Sequence, residues 1–174
     1  MMHFLITLLL ISSFSAFASG PPPEQPLGRL KLEVPLSIPP GAATLRLQQG
    51  RVTAFNAVQE QDPFCIFELD TVSEGAQPVA PAEFSITRID RSIETFAGMP
   101  VLTMRVALGQ GDSSPSHIYY KTTYRLASNP QGARSLACMS NQYVPGIAIM
   151  RHLSLGEIRD ALGGYFTLDL GGKH

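Results

Sequence analysis

The sequence predicts a mainly β fold: an antiparallel sandwich or partly open barrel of about eight or nine strands, with one helix near the C-terminus. Three observations predict it. Period-two alternation of apolar and polar residues recurs in short runs from residue 29 onward. Glycine and proline, 15 and 14 of the 174 residues, cut those runs at close intervals and leave little room for long helices. Only residues 154–163 combine helical spacing with a start signal and a stop signal.

Residues 4–18 carry no charge. A helix of that length spans roughly 22 Å, short of the ~30 Å hydrocarbon core of a bilayer, so it is too short for a permanent anchor. Ala16-Phe17-Ala18 is a small-x-small triplet of the kind cleaved on export. The organisation expected is therefore a signal peptide over residues 1–18, a linker over 19–28, and a single β-rich domain over 29–174. Pro21, Pro22, Pro23 and Pro26 make the linker extended. No later apolar run is long enough to span a membrane as a helix, so the mature chain is expected to be soluble, periplasmic or secreted.

Leu30, Leu32 and Val34 alternate on the first strand, and Pro39-Pro40-Gly41 ends that region. Residues 43–48 and 51–58 form a hairpin turned at Gln49-Gly50. Residues 64–72 are apolar on both faces at first, which suits a central strand covered on both sides. Residues 73–82 contain Gly75, Pro78 and Pro81 and read as a loop. Residues 83–89 resume as a strand. Residues 93–108 read as a hairpin turned at Ala97-Gly98-Met99-Pro100, and 109–115 as a polar loop. Residues 117–126 alternate again, with Ile118, Tyr120, Tyr124 and Leu126 inward and Tyr119, Lys121, Thr123 and Arg125 outward. A turn at Asn129-Pro130-Gln131-Gly132 precedes a strand over 135–140.

The helix carries the sharpest local signal. Ser154 and Glu157 have the spacing of a capping box, Leu153 and Ile158 that of a hydrophobic staple. Leu155, Ile158 and Leu162 make one apolar stripe, and Gly163-Gly164 supplies the stop. Residues 165–170 return as the last strand.

Function is less legible. A net charge of −1 and a pI near 6.4 exclude the basic footprint of a nucleic-acid binder. Hydrophobic residues at 44% against 16% charged exclude wholesale disorder. Export places Cys65 and Cys138, the only cysteines, in an oxidising compartment, where a lone pair is expected to bridge. No Gly-x-Ser-x-Gly, His-Glu-x-x-His, phosphate loop, EF-hand loop or Cys-x-x-Cys occurs. Glu68 and Asp70 share a strand face and could form an acid/base pair, but a solvated or salt-bridged face is the reading adopted. Cys138, Met139, Met150 and His152 include soft metal ligands, yet methionines in apolar runs fill cores, so no metal and no cofactor is expected. His117 and His152 would each need a nucleophile and an orienting acid.

Tyr119, Lys121 and Arg125 share the outer face of one strand and form the candidate partner surface. The function expected is an exported binding or accessory protein without catalysis, meeting a protein partner in the cell envelope. Two alternatives stand beside it. One is a small-ligand carrier whose barrel cavity is lined by Tyr120, Tyr124 and Met104. The other is an envelope hydrolase using Glu68 and Asp70, or His152.

Overall fold

The computed structural model describes residues 26–96, 99–100, 117–142 and 150–171. The expected signal peptide over 1–18, residues 19–25 of the expected linker, Met104 with the rest of the expected arm over 101–108, the expected loop over 109–115, and Tyr143 lie outside them.

The fold is an antiparallel half-barrel, the partly open barrel of the sequence expectation, with a single helix near the C-terminus. In chain order the strands are β1 (Gly28–Leu32), β2 (Leu36–Ile38), β3 (Thr44–Gln48), β4 (Arg51–Thr53), β5 (Phe64–Leu69), β6 (Gln77–Val79), β7 (Ala82–Phe96), β8 (Met99–Pro100), β9 (Tyr119–Leu126) and β10 (Ala133–Met139). Helix α1 (Leu155–Leu162) and strand β11 (Phe166–Leu170) follow. Eight strands form the sheet in the order β11-β1-β7-β9-β10-β5-β3-β4, and β8 turns back onto the end of β7. Strands β2 and β6 pair apart from it. Among the described residues no helix is long and apolar enough to cross a membrane.

Three elements differ from the sequence reading. The segments over 83–89 and 93–96 belong to one 15-residue strand, β7, because pairing with β1 and then β9 carries the backbone through Asp90-Arg91-Ser92, with a register shift between Ile86 and Arg88. The expected loop over 73–82 contains β6, an edge strand that accommodates Pro78 and buries Val79. The return arm of the first hairpin ends at Thr53, and Phe55–Ala57 form a 3-10 turn instead. The hairpin turn itself stands as expected: Gln49 and Gly50 both have positive φ, 51° and 70°.

Alternation sends Leu30, Leu32, Leu45, Leu47, Cys65, Phe67, Phe84, Ile86, Leu136, Cys138, Phe166 and Leu168 into one core on the concave face. The Phe67 ring lies 5.1 Å from Phe166 and 6.2 Å from Phe84. Phe67 is on β5 and Phe166 on β11, far apart along the sheet, so their contact shows that the curled interior is filled by side chains.

Helix α1 packs against β11, β3 and β5, strands from both ends of the sheet. Its capping box is complete: Ser154 Oγ accepts from the Glu157 amide, and the Glu157 carboxylate accepts from the Ser154 amide. The paired Arg151 guanidinium, followed by the Ser154 hydrogen bonds, pulls the Glu157 carboxyl down to about 2. Ile158, Ala161 and Leu162 form the buried face. Leu155, expected on that stripe, is 39% exposed. It occupies the first helical position, where the side chain projects past the sheet, while Leu153 fills the core in its place. At the other end the Gly50 amide donates to the Ala161 carbonyl at 3.1 Å. A Cβ on Gly163, whose φ is 55°, would stand 2.3 Å from the Gly50 Cα.

Denaturant unfolding of single variants tests this seating. Leu162→Ala is expected to cost roughly 2–5 kcal/mol and Ser154→Ala about 1 kcal/mol, while the exposed Asp160→Ala stays within about 0.5 kcal/mol. Gly163→Ala is expected to cost more than ~1 kcal/mol, because it meets backbone at positive φ. A Cβ on Gly164 meets nothing within 4 Å, so Gly164→Ala serves as the mild control. Equal losses at Gly163 and Gly164 would refute the close approach.

Candidate functional site

Cys65 and Cys138 lie directly opposite each other on β5 and β10 and form the expected disulfide, with both residues buried and a Cα–Cα distance of 4.1 Å. The bridge closes a sequence separation of 73 residues and ties two neighbouring interior strands from the concave side.

The two carboxylates considered for catalysis differ in their surroundings. Glu68 accepts from Ser135 Oγ at 2.7 Å and lies 3.4 Å from the Arg134 guanidinium. Asp70 is an exposed residue just past the end of β5. This is the salt-bridged face that the sequence analysis adopted.

The candidate partner residues follow the expected alternation but do not form one exposed patch. Tyr119 is 2% exposed, because the chain over 54–62 folds across the convex face and buries it with Phe64 and Met139. Its ring meets Phe64 edge-on at 6.4 Å and stacks on His117. Burial, and then a hydrogen bond to Glu60, pushes the Tyr119 phenol far above its ordinary value. Lys121 pairs with Glu94 at 2.5 Å. Arg125 stays exposed, 3.5 Å from Asp90.

The covering segment is held by Gln48, whose side-chain amide donates to the Gln59 carbonyl at 2.7 Å and accepts from the Gln59 amide at 2.9 Å. Beside it lies an open polar cavity of about 490 Å³ that includes Glu60, Asp62, His117 and Asn141. His117 Nε2 is 3.4 Å from the Glu60 carboxylate there. A second cavity of about 220 Å³ shares Asp62 and reaches Glu157 and Asp160. Sequence reasoning missed both, since they depend on where the loop lands.

A different constellation occupies the concave face, where β7 and β9 run beyond the apolar core. Register sets Ile89 opposite Tyr124, Arg91 opposite Thr122 and Ile93 opposite Tyr120. Tyr124 is in the core, so Thr122 and Tyr120, two and four residues before it, point to the same side. Next along the same row, Thr122 neighbours Cys138. His152, just ahead of the helix, brings its ring to 5.5 Å from the Tyr120 ring, nearly perpendicular to it.

This corner is polar and incompletely bonded. Thr122 is 3% exposed, yet its Oγ1 has no hydrogen-bond partner, and His152 Nδ1 is likewise buried without one. The imidazole also feels the Lys121 backbone, which acts in the opposite sense to burial on its pKa. Burial, and then the Arg91 charge, lower the His152 pKa from its ordinary value, which favours the neutral ring. The same Arg91 charge acts on the Tyr124 phenol, whose pKa burial raises. A buried hydroxyl left unbonded costs about 1–3 kcal/mol, so the corner departs from the usual satisfaction of buried polar groups.

Of these residues the sequence analysis singled out Tyr120, Tyr124 and His152 and missed Arg91 and Thr122. The signal was present. Ile89, Arg91 and Ile93 alternate, which puts a guanidinium on an otherwise apolar stripe, but residues 90–92 read as a break between strands.

Comparison of the chain with protein-family models, with curated proteins and with solved structures returns no match.

The bridge yields a direct prediction. Replacing both Cys65 and Cys138 by Ala is expected to lower stability by up to about 4 kcal/mol, the chain-entropy value for so long a loop. Denaturant unfolding of the oxidised chain and the double variant measures it, and equal midpoints would contradict a stabilising bridge.

Proposed function

We propose that the chain is an exported, disulfide-bridged binding protein without chemistry of its own, which takes its ligand at the polar corner of the concave face. The observation that carries this reading is the pair of buried, unbonded polar atoms, Thr122 Oγ1 and His152 Nδ1. Groups held in that state are ready for an outside partner, and the cost of leaving them unpaired is recovered on binding. The reading favours this corner over the outer face of β9, where Tyr119 is buried and Lys121 is already held by Glu94. It also favours a corner site over an enclosed apolar cavity, since Phe67, Phe84 and Phe166 fill the interior. Neither Glu68 nor Asp70 supports hydrolysis. Glu68 is engaged with Ser135 and Arg134, and Asp70 lies outside any cleft shared with it.

Export rests on the uncharged run over residues 4–18, the Ala16-Phe17-Ala18 triplet and the formed disulfide. The intact mass of protein recovered from the envelope fraction is expected to begin at Ser19. A chain retaining Met1 would contradict cleavage.

Binding is tested on the oxidised mature chain by titration with the low-molecular-weight fraction of an envelope extract, followed by amide chemical shifts. Perturbations are expected at residues 89–93 and 119–124. Perturbations confined to residues 59–62, 117 and 141 would move the site to the convex cavity, and no perturbation would overturn the reading.

A further inference from the structure

We propose that the group received at the concave corner is an oxyanion, a carboxylate or a phosphate, seated between the guanidinium of Arg91 and the imidazole of His152 with the Thr122 hydroxyl as a further donor. The proposal rests on the corner being the binding site, as argued above, and adds the chemical class of the ligand.

The argument begins with how β7 distributes its charges. Asp90, Arg91, Ser92 and Glu94 are close in sequence, but the pleat sends Arg91 to one side and the two carboxylates to the other. On the convex side Asp90 is held by Arg88 and Arg125, and Glu94 by Lys121. On the concave side Arg91 has no ion pair among the described residues, and it faces Thr122 across the strand pair. Arginine is a permanent cation whose planar fork of donors matches an oxyanion.

The groups around it are donors or can become donors. Thr122 Oγ1 is unbonded and buried. His152 contacts Tyr120 on β9 and the Lys121 backbone, and feels Arg91 on β7; Tyr124 feels the same charge from the next position along β9. Ahead of the helix, Arg151 is neutralised by its pairing with Glu157. Among the described residues no ion pair involves Arg91. A cationic ligand would meet an unopposed arginine, and a neutral apolar one would bury it without compensation.

The arrangement also couples binding to protons. In the free protein Arg91 disfavours the imidazolium of His152. A bound oxyanion offsets Arg91 and accepts from the protonated ring at Nδ1, so binding takes up a proton. Affinity rises as pH falls, by up to about tenfold for each unit by which binding raises the imidazole pKa.

The experiment uses the oxidised mature chain with inorganic phosphate and, separately, succinate, followed by amide shifts at pH 8 and pH 5.5, with sodium chloride as the salt control. At least one of the two anions is expected to shift residues 89–93 and 119–124, more tightly at pH 5.5, and the stronger of them names the source of the oxyanion. Arg91→Gln is expected to weaken that binding at least tenfold. His152→Gln is expected to retain binding but lose the part of its pH dependence that exceeds the anion's own titration, and Arg125→Gln, on the convex face, to leave binding unchanged. Native-like amide spectra of the variants show that each is folded. If neither anion shifts these residues while the envelope extract does, the oxyanion class is wrong and the corner remains the site. If neither anion nor extract shifts them, both readings fall.

Discussion

A sheet curled into half a barrel brings strands from its two ends toward each other, and helix α1 packs between them. It packs on β11 at one end and on β3 and β5 toward the other. Arg159 donates to the Leu168 carbonyl of β11 at 3.3 Å, and the Ala161 carbonyl accepts from Gly50 at the tip of the β3–β4 hairpin. An isolated helix of eight residues is not stable in water. Helix and curvature therefore depend on each other. The helix needs the concave face to bury Ile158, Ala161 and Leu162, and the sheet needs the helix to close its interior. Gly50 and Gly163, both at positive φ, permit the backbone approach that makes the joint tight.

The position of this closure decides what the rest of the concave face can do. Aromatic and aliphatic side chains fill the part that the helix covers. The row Leu47-Cys65-Cys138-Thr122-Arg91 then crosses from apolar to charged over five neighbouring strands, with the disulfide in the middle. Beyond it β7 and β9 continue without the helix beneath them, and there Thr122 and His152 sit with unbonded buried atoms. The bridge therefore lies at the boundary between the apolar core and the polar corner. The convex face is arranged separately, with the Gln48-tethered segment over 54–62 covering Phe64, Tyr119 and Met139. That cover turns a tyrosine with an outward pattern into a second small core.

Much of the fold was legible because its signals are local. Alternation identified β1, β3, β5, β9, β10 and β11 to within a few residues, and the Gln49-Gly50 turn and the Ser154–Glu157 capping box stand as their residues required. The misreadings share a cause. Asp90-Arg91-Ser92 has the polarity of a loop, yet β9 pairs with β7 without interruption from Arg88 to Glu94 and carries it through. Pro78 argues against a strand, but an edge position leaves its missing amide without consequence. Leu155 has the spacing of a core residue, but the helix begins there and the sheet does not extend beneath it.

Sequence alone determined the class of fold, the helix with both its caps, and the two cysteines that bridge, because each follows from residue types at short spacing or from a pair with no other partner. Tertiary structure decided the half-barrel over the sandwich, the burial of Tyr119, and the meeting of Arg91, Thr122, Tyr120 and His152. Those outcomes depend on register between strands distant in the chain and on where a loop and a helix come to rest. A one-residue change of register would send Arg91, Tyr119, Tyr120 and Thr122 to the opposite face, and no local pattern encodes that choice.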